Sequence, residues 1–133
     1  MRRILIEVGA GELVDRATIL ELKERNARDA AQRDRVRHQR QHLLRVCERA
    51  GLDLSEVASE MGELRVLNGA LWAIEDQLRA CEREGDFGPR FIRLARAVYQ
   101  NNDRRAFVKR AIDVGVGSSV GEEKVYASER GRI

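Results

Sequence analysis

The stretch Leu67–Phe91, LNGALWAIEDQLRACEREGDFGPRF, decides the fold that this sequence predicts. Its apolar residues recur at intervals of three and four, the spacing that places side chains along one face of an α-helix. Gly85 is a typical helix C-terminus, and Pro89 after Gly88 suits the first position of a new helix. Two helices joined by so short a turn are expected to pack antiparallel, which predicts a helical hairpin. The residues on the apolar face are Leu67, Leu71, Ile74 and Leu78.

Capping and stop signals divide the rest of the chain into further helices. Asp29, followed three residues later by Gln32, is a typical N-cap with its partner, and Asp53 with Glu56 repeats that pattern after the stop at Gly51. Apolar residues at helical spacing follow each of these signals. The predicted helices span residues 12–26, 29–50, 54–84 and 89–114.

Residues 3–8 have the alternation of a short strand. Ile4, Ile6 and Val8 fall on one side, and Arg3, Leu5 and Glu7 fall on the other. A strand needs a neighbour, and the only other extended candidate is the segment 124–127, so pairing within the chain and pairing across a dimer both stay open. The predicted fold class is mainly α: antiparallel helical hairpins or a bundle of three to four helices, with a short N-terminal edge strand that a C-terminal strand would pair. The tail 115–133 is either flexible or strand-like.

Length and composition limit the class of protein. The 133 residues are enough for a single domain with a modest core, and charged residues make up 35% of them. No apolar run approaches the roughly 18 residues of a membrane span, and two isolated cysteines, Cys47 and Cys81, do not make a disulfide framework. We therefore expect a cytoplasmic chain without a membrane span and with reduced thiols.

Polar residues on the last two predicted helices form a candidate site. If the two helices pack antiparallel, Glu75 on the third helix and Asn102 on the fourth lie at comparable distances from the turn between them, since an α-helix rises about 1.5 Å per residue. Such a cluster suits a divalent cation such as Mg²⁺, or a phosphate. The alternative is a hydrogen-bonded layer that specifies how helices or subunits pair. The residues of this cluster are Glu75, Asp76, Arg79, Asn102, Asp103 and Lys109.

The second predicted helix carries two weaker signals. His38 and His42 lie one turn apart, a spacing that zinc can use, but no third ligand is evident, so an exposed helix face is the better interpretation. Arg33, Arg37 and Arg40 share a face that could follow phosphates. Because no aromatic residue interleaves with them for base stacking, nucleic-acid binding is not favoured.

Three blocks of the sequence resemble a bacterial family of small helical proteins with no assigned function. They are GELVDRATILELKERN (11–26), LNGALWAIEDQLRACEREGDFGPRFIRLARAVYQNNDRRAFVKRAID (67–113) and EEKVY (122–126). Members of that family tend to be encoded beside lipopolysaccharide and glycosyltransferase genes, so the resemblance implies a role near surface-glycan biosynthesis and transfers no catalytic residue. The residues that carry the resemblance include Glu12, Asp15, Trp72, Glu75, Asp76, Tyr99, Asn102 and Asp103.

Two functions follow from these observations. The first is a non-catalytic protein that acts by forming a homodimer or by docking on a protein partner in surface-glycan biosynthesis. The second is a small enzyme or binder of a phosphorylated or nucleotide-linked substrate, Mg²⁺-dependent, that uses the polar cluster. Convergence of the cluster on an open pocket would favour the second, and burial of its polar groups between packed helices would favour the first. The sequence favours the first.

Overall fold

A computed structural model describes residues 2–117 and confirms the mainly α fold. A 3₁₀ turn at Leu54–Val57 precedes the third of its helices. The helices are α1 (Ala10–Arg25), α2 (Ala30–Arg49), α3 (Ala58–Glu84) and α4 (Pro89–Val116).

Three of the helices form a bundle, and the fourth packs on its side. Helix α1 contacts both α3 and α4, which pack along each other, whereas the extensive contacts of α2 are with α1 alone. Arg90 pairs with Glu84 beside the α3–α4 turn, and Arg104 pairs with Glu63 much farther from it, as expected of an antiparallel hairpin. The predicted hairpin is therefore confirmed.

The hydrophobic core lies at one end of this bundle. It is centred where the first half of α3 meets α1 and the last part of α4, and the tip of the α3–α4 hairpin extends beyond it. Cys81 is buried in that tip, and Leu43 of α2 packs against the core from outside. The core residues are Val14, Ala17, Val57, Met61, Leu64, Val108 and Ile112.

The local signals in the sequence mostly act as predicted. The Asp29 carboxylate accepts a hydrogen bond from the backbone amide of Gln32 at 2.8 Å, as an N-cap should. Gly85 ends α3 in the left-handed conformation (φ 68°), and Pro89 is the first residue of α4. Asp53 also acts as a cap, but the turn it caps is the 3₁₀ turn, so the continuous α-helix begins at Ala58 instead of residue 54.

The predicted edge strand at residues 3–8 is not seen in the described part of the chain. We call residues 2–9 the leading segment; none of them lies in a helix or strand, and Ile4, Leu5 and Ile6 are 86%, 91% and 75% exposed. The physical reason is that a strand requires a hydrogen-bonded neighbour, and nothing within residues 2–117 pairs with this segment. The predicted partner at 124–127 lies outside the described residues. None of the four helices combines the length and apolar character needed to cross a bilayer.

Candidate functional site

A buried polar layer crosses the bundle where α1, α3 and α4 meet. At its centre is Asp15 of α1, which is 1% exposed. The side-chain amide of Asn68, on α3, donates to the Asp15 carboxylate and to the Thr18 hydroxyl, both at 2.9 Å. Thr18 in turn donates to the Asp15 carbonyl at 2.7 Å. One amide therefore ties α3 to two successive turns of α1.

Helix α4 completes this layer through Arg105. Its guanidinium donates to both carboxylate oxygens of Asp15, from Nε to Oδ1 at 2.9 Å and from Nη2 to Oδ2. The third nitrogen, Nη1, donates to the Asn102 side chain at 3.3 Å. This two-pronged geometry fixes the guanidinium plane as well as its position. The polar layer thus consists of Asp15, Thr18, Asn68, Asn102 and Arg105.

A second ion pair joins the same two helices one turn farther along. The Lys109 ammonium lies 2.7 Å from the Glu12 carboxylate, which also accepts from Arg16 at 2.9 Å. Burial of the Glu12 carboxyl opposes its ionisation, but the hydrogen bonds from Lys109 and Arg16 outweigh that effect, and the pKa of Glu12 lies below its ordinary value. Lys109 itself is buried.

The two helix backbones approach closely at Gly11. Its amide donates to the Asp113 carboxylate at 2.8 Å, and a Cβ placed on Gly11 would lie 2.2 Å from the Lys109 carbonyl oxygen. Only glycine permits this distance, so Gly11 is required for the Glu12–Lys109 and Asp15–Arg105 pairs to form as they do.

Groups of opposite charge are paired in and beside the polar layer. Asp15 and Arg105 neutralise each other, as do Glu12 and Lys109, and every buried side-chain nitrogen or oxygen in residues 2–117 has a hydrogen-bond partner. This arrangement fixes the relative positions of three helices, as buried polar residues do in coiled coils.

The structure separates the six residues of the predicted cluster. Asn102 joins the polar layer and Lys109 joins the second ion pair, but the three α3 residues are exposed. Asp76 and Arg79 pair with each other at 3.4 Å, and within residues 2–117 no hydrogen bond or ion pair links Glu75 or Asp76 to α4. Asp103 is half-buried. The described contacts thus place Asn102, Lys109 and the pair of Asp76 with Arg79 in three different sets of interactions.

Of the four other residues that the sequence singled out, two lie in helix contacts and two lie at or near the surface. Glu12 and Asp15 are both central to the contacts between α1 and α4. Tyr99 is 54% exposed on α4, whereas Trp72 is half-buried and lines a groove formed with α1 and α2.

Sequence reasoning missed Thr18, Asn68 and Arg105. The signal that could have found two of them is spacing: Thr18 and Arg105 each follow a polar residue by three positions, at Asp15 and Asn102, so each pair occupies one helix face. No local pattern indicates that the two pairs meet around Asn68, because that contact depends on the crossing of three helices.

The predicted metal-binding patterns gain no further ligands. In residues 2–117, no group of three His, Cys, Asp or Glu side chains is arranged to hold a metal ion. His38 and His42 are exposed on α2. Two of the arginines on the basic face, Arg37 and Arg40, both donate to the Glu24 carboxylate at 2.9 Å.

Comparison with protein-family models, with curated proteins and with solved structures finds no match to this chain.

Proposed function

We propose that this chain is a non-catalytic helical protein that acts as a homodimer, in which the leading segments of two copies pair as antiparallel strands. The observation that carries the proposal is the exposure of Ile4, Leu5 and Ile6 in a segment with the alternation of a strand. Three consecutive aliphatic side chains in water are unfavourable, and cross-strand contacts between two segments would cover part of each.

Charge complementarity selects a second copy of the chain as the occupant. In an antiparallel pair with its two-fold axis at Leu5, Arg3 of each strand lies opposite Glu7 of the other, and Ile4 lies opposite Ile6. Both ion pairs then share a face with Leu5, while the isoleucines of both strands form an apolar face. A register shifted by one residue would pair Arg2 with Glu7 but would place Arg3 opposite Ile6.

The self-neutralised polar layer supports the non-catalytic part of the proposal. Its carboxylate, amides and guanidinium hold α1, α3 and α4 together, and Asn102 is the one member of the predicted cluster that takes part; this supports a docking protein over an enzyme. The resemblance to proteins encoded beside lipopolysaccharide genes supports the biological setting, and we propose that the dimer serves surface-glycan biosynthesis.

Charge reversal tests the register directly. Sedimentation velocity over a wide concentration range should show dimers for the natural sequence and weaker dimerisation for Arg3→Glu and for Glu7→Arg. The double variant, Arg3→Glu with Glu7→Arg, should restore the dimer because it restores both pairs. Leu5→Lys should abolish dimerisation, since it brings two ammonium groups together at the axis.

Val66→Lys is the matched control, because Val66 is also an exposed aliphatic residue (72%) but lies on α3. Its dimerisation should equal that of the natural sequence. A monomer at every concentration, or a double variant no better than the single ones, would contradict this pairing. Deleting the gene in a bacterium that encodes the chain, followed by electrophoresis of its lipopolysaccharide, tests the glycan role separately.

A further inference from the structure

A groove of about 490 Å³ beside Trp72 combines an aromatic ring with basic side chains. Helix α3 contributes Trp72, α1 contributes Lys23, and Arg28 and Arg35 come from the α1–α2 loop and from α2. Its volume lies within the range of small-molecule sites. The groove therefore brings an aromatic ring and three cations together from separate parts of the chain.

The cations of this groove differ from their neighbours in having no acidic partner. Within residues 2–117, no carboxylate pairs with Lys23, Arg28 or Arg35, and no acidic side chain lines the groove. The Oδ1 atom of Asp29, the adjacent acid in the sequence, accepts from the Gln32 amide at the start of α2. The groove consequently has a surplus of positive charge.

A second groove, of about 460 Å³, lies between α1 and α2 and contains acidic as well as basic residues. Its lining includes Glu21 and Glu24 together with Arg25, Arg33 and Arg40. Glu24 accepts from Arg40, so acids and bases neutralise each other there. Proximity of arginines alone is thus common on this surface, whereas an aromatic ring with unneutralised cations distinguishes the Trp72 groove.

We propose that the Trp72 groove binds a nucleoside diphosphate. The base would stack on the indole of Trp72, and the diphosphate would bind Lys23, Arg28 and Arg35. A nucleoside diphosphate carries roughly three negative charges at neutral pH, which three cations balance.

Amide side chains at the groove suit recognition of the base. Gln32 and Gln39 both line it, and amides can donate to and accept from the edge of a base. The Oε1 atom of Gln32 accepts from the Arg28 backbone amide, which ties Gln32 to the loop that carries one of the cations. This binding site shares no residue with the leading segment and does not depend on the proposed dimer.

The single tryptophan makes the test specific to this groove. Because Trp72 is the only tryptophan in the chain, quenching of protein fluorescence by UDP or ADP reports on this ring. Saturable quenching is expected, with calorimetry giving the same affinity. Inorganic pyrophosphate should compete more weakly than the nucleotide, and uridine or adenosine without phosphate should bind weakest.

Two arginines, two residues apart on α2, provide a matched pair of variants. Arg35→Gln should weaken nucleotide binding about ten-fold, because it removes a charged hydrogen-bond donor from the phosphates. Arg33→Gln removes the same charge from the second groove and should leave the affinity unchanged. Both residues are exposed, so both variants should fold, which circular dichroism verifies.

Several results would overturn the proposal. One is the absence of saturable binding by both fluorescence and calorimetry; another is equal weakening by the two variants, which would indicate non-specific attraction of anions. Pyrophosphate that binds as tightly as the nucleotide would remove the role of Trp72. Tighter binding of a single-stranded oligonucleotide than of the mononucleotide would indicate a nucleic-acid site instead.

Discussion

Arg105 of α4 and Asp15 of α1, ninety residues apart in the sequence, form a two-pronged ion pair whose two members differ in their access to water. The Asp15 side chain is 1% exposed and the Arg105 side chain is 26% exposed. A charge without its partner costs more where water cannot reach it. Removing Arg105 should therefore destabilise the fold more than removing Asp15.

Arg105→Gln should lower the free energy of unfolding by about 3–5 kcal/mol, because it leaves a buried carboxylate with the Asn68 amide but without a counter-charge. Asp15→Asn should cost less, since the guanidinium that loses its partner can reach water. Urea unfolding followed by circular dichroism measures both. Arg110→Gln, on an exposed part of α4, is the control and should stay within about 0.5 kcal/mol of the natural sequence. Similar small losses for all three variants would contradict a structural role for the layer.

Gly11→Ala should destabilise the fold by about 1–3 kcal/mol, because the new Cβ would lie 2.2 Å from the Lys109 carbonyl oxygen and the two backbones must separate. Gly69→Ala is the matched control on α3, where a Cβ meets nothing within 4 Å. It should instead stabilise by about 0.5–1 kcal/mol through helix propensity. Thermal and urea unfolding report the sign of each change. A neutral Gly11→Ala variant would show that α1 and α4 are not in close contact.

The Glu12–Lys109 pair should make stability depend on pH. Because the folded-state pKa of Glu12 lies below its ordinary value of 4.5, the pair stabilises the fold above that value. Its contribution is lost as the pH falls from there through the lower folded-state pKa. Since Glu12 is partly exposed, the contribution at neutral pH is at most about 1 kcal/mol.

The measurement compares the natural sequence with Glu12→Gln across this pH range. The difference between their unfolding free energies should be constant near neutral pH and shrink in acid. In a Lys109→Gln background, the same substitution should have a smaller effect, because one of the groups that lowers the pKa of Glu12 is gone. A difference that grows in acid would contradict the assignment.

Both cysteines should react slowly with a thiol reagent in the folded protein. Cys47 and Cys81 are 1% and 0% exposed, and burial raises the pKa of the Cys47 thiol, so little thiolate is present at neutral pH. An aromatic disulfide reagent should label both thiols rapidly in urea and only through transient opening without it. Rapid labelling of either thiol under native conditions would show that its helix end is open.

Much of the helical architecture could be predicted from local sequence. The turn at Gly85–Pro89 and the cap at Asp29 rest on backbone preferences that act within a few residues, and these survive in the structure. On the predicted apolar face of α3, Leu71 is buried and Leu67, Ile74 and Leu78 are half-buried. The strand at residues 3–8 had a correct alternation but no neighbour in the described chain, and a strand is defined by its neighbour.

The candidate site was less predictable, because acids and bases are common in this sequence and any two helices offer several pairings. The expected partner of the α4 polar residues was α3 at Glu75 and Asp76, yet Arg105 turns to Asp15 on α1. The close approach permitted by Gly11 decides this outcome, because it moves α1 against α4 and gives the α4 cations a carboxylate partner. Glu75 and Asp76 are left at the surface.

The sequence by itself therefore determined how many helices form, their approximate ends and which faces are apolar, since these properties depend on neighbours within one or two turns. Only the tertiary structure decided which polar residues meet. The contact of Asp15, Asn68 and Arg105, and the position of Trp72 beside basic residues of α1 and α2, depend on how helices cross. Those crossings are set by packing between residues far apart in the chain, which no local pattern encodes.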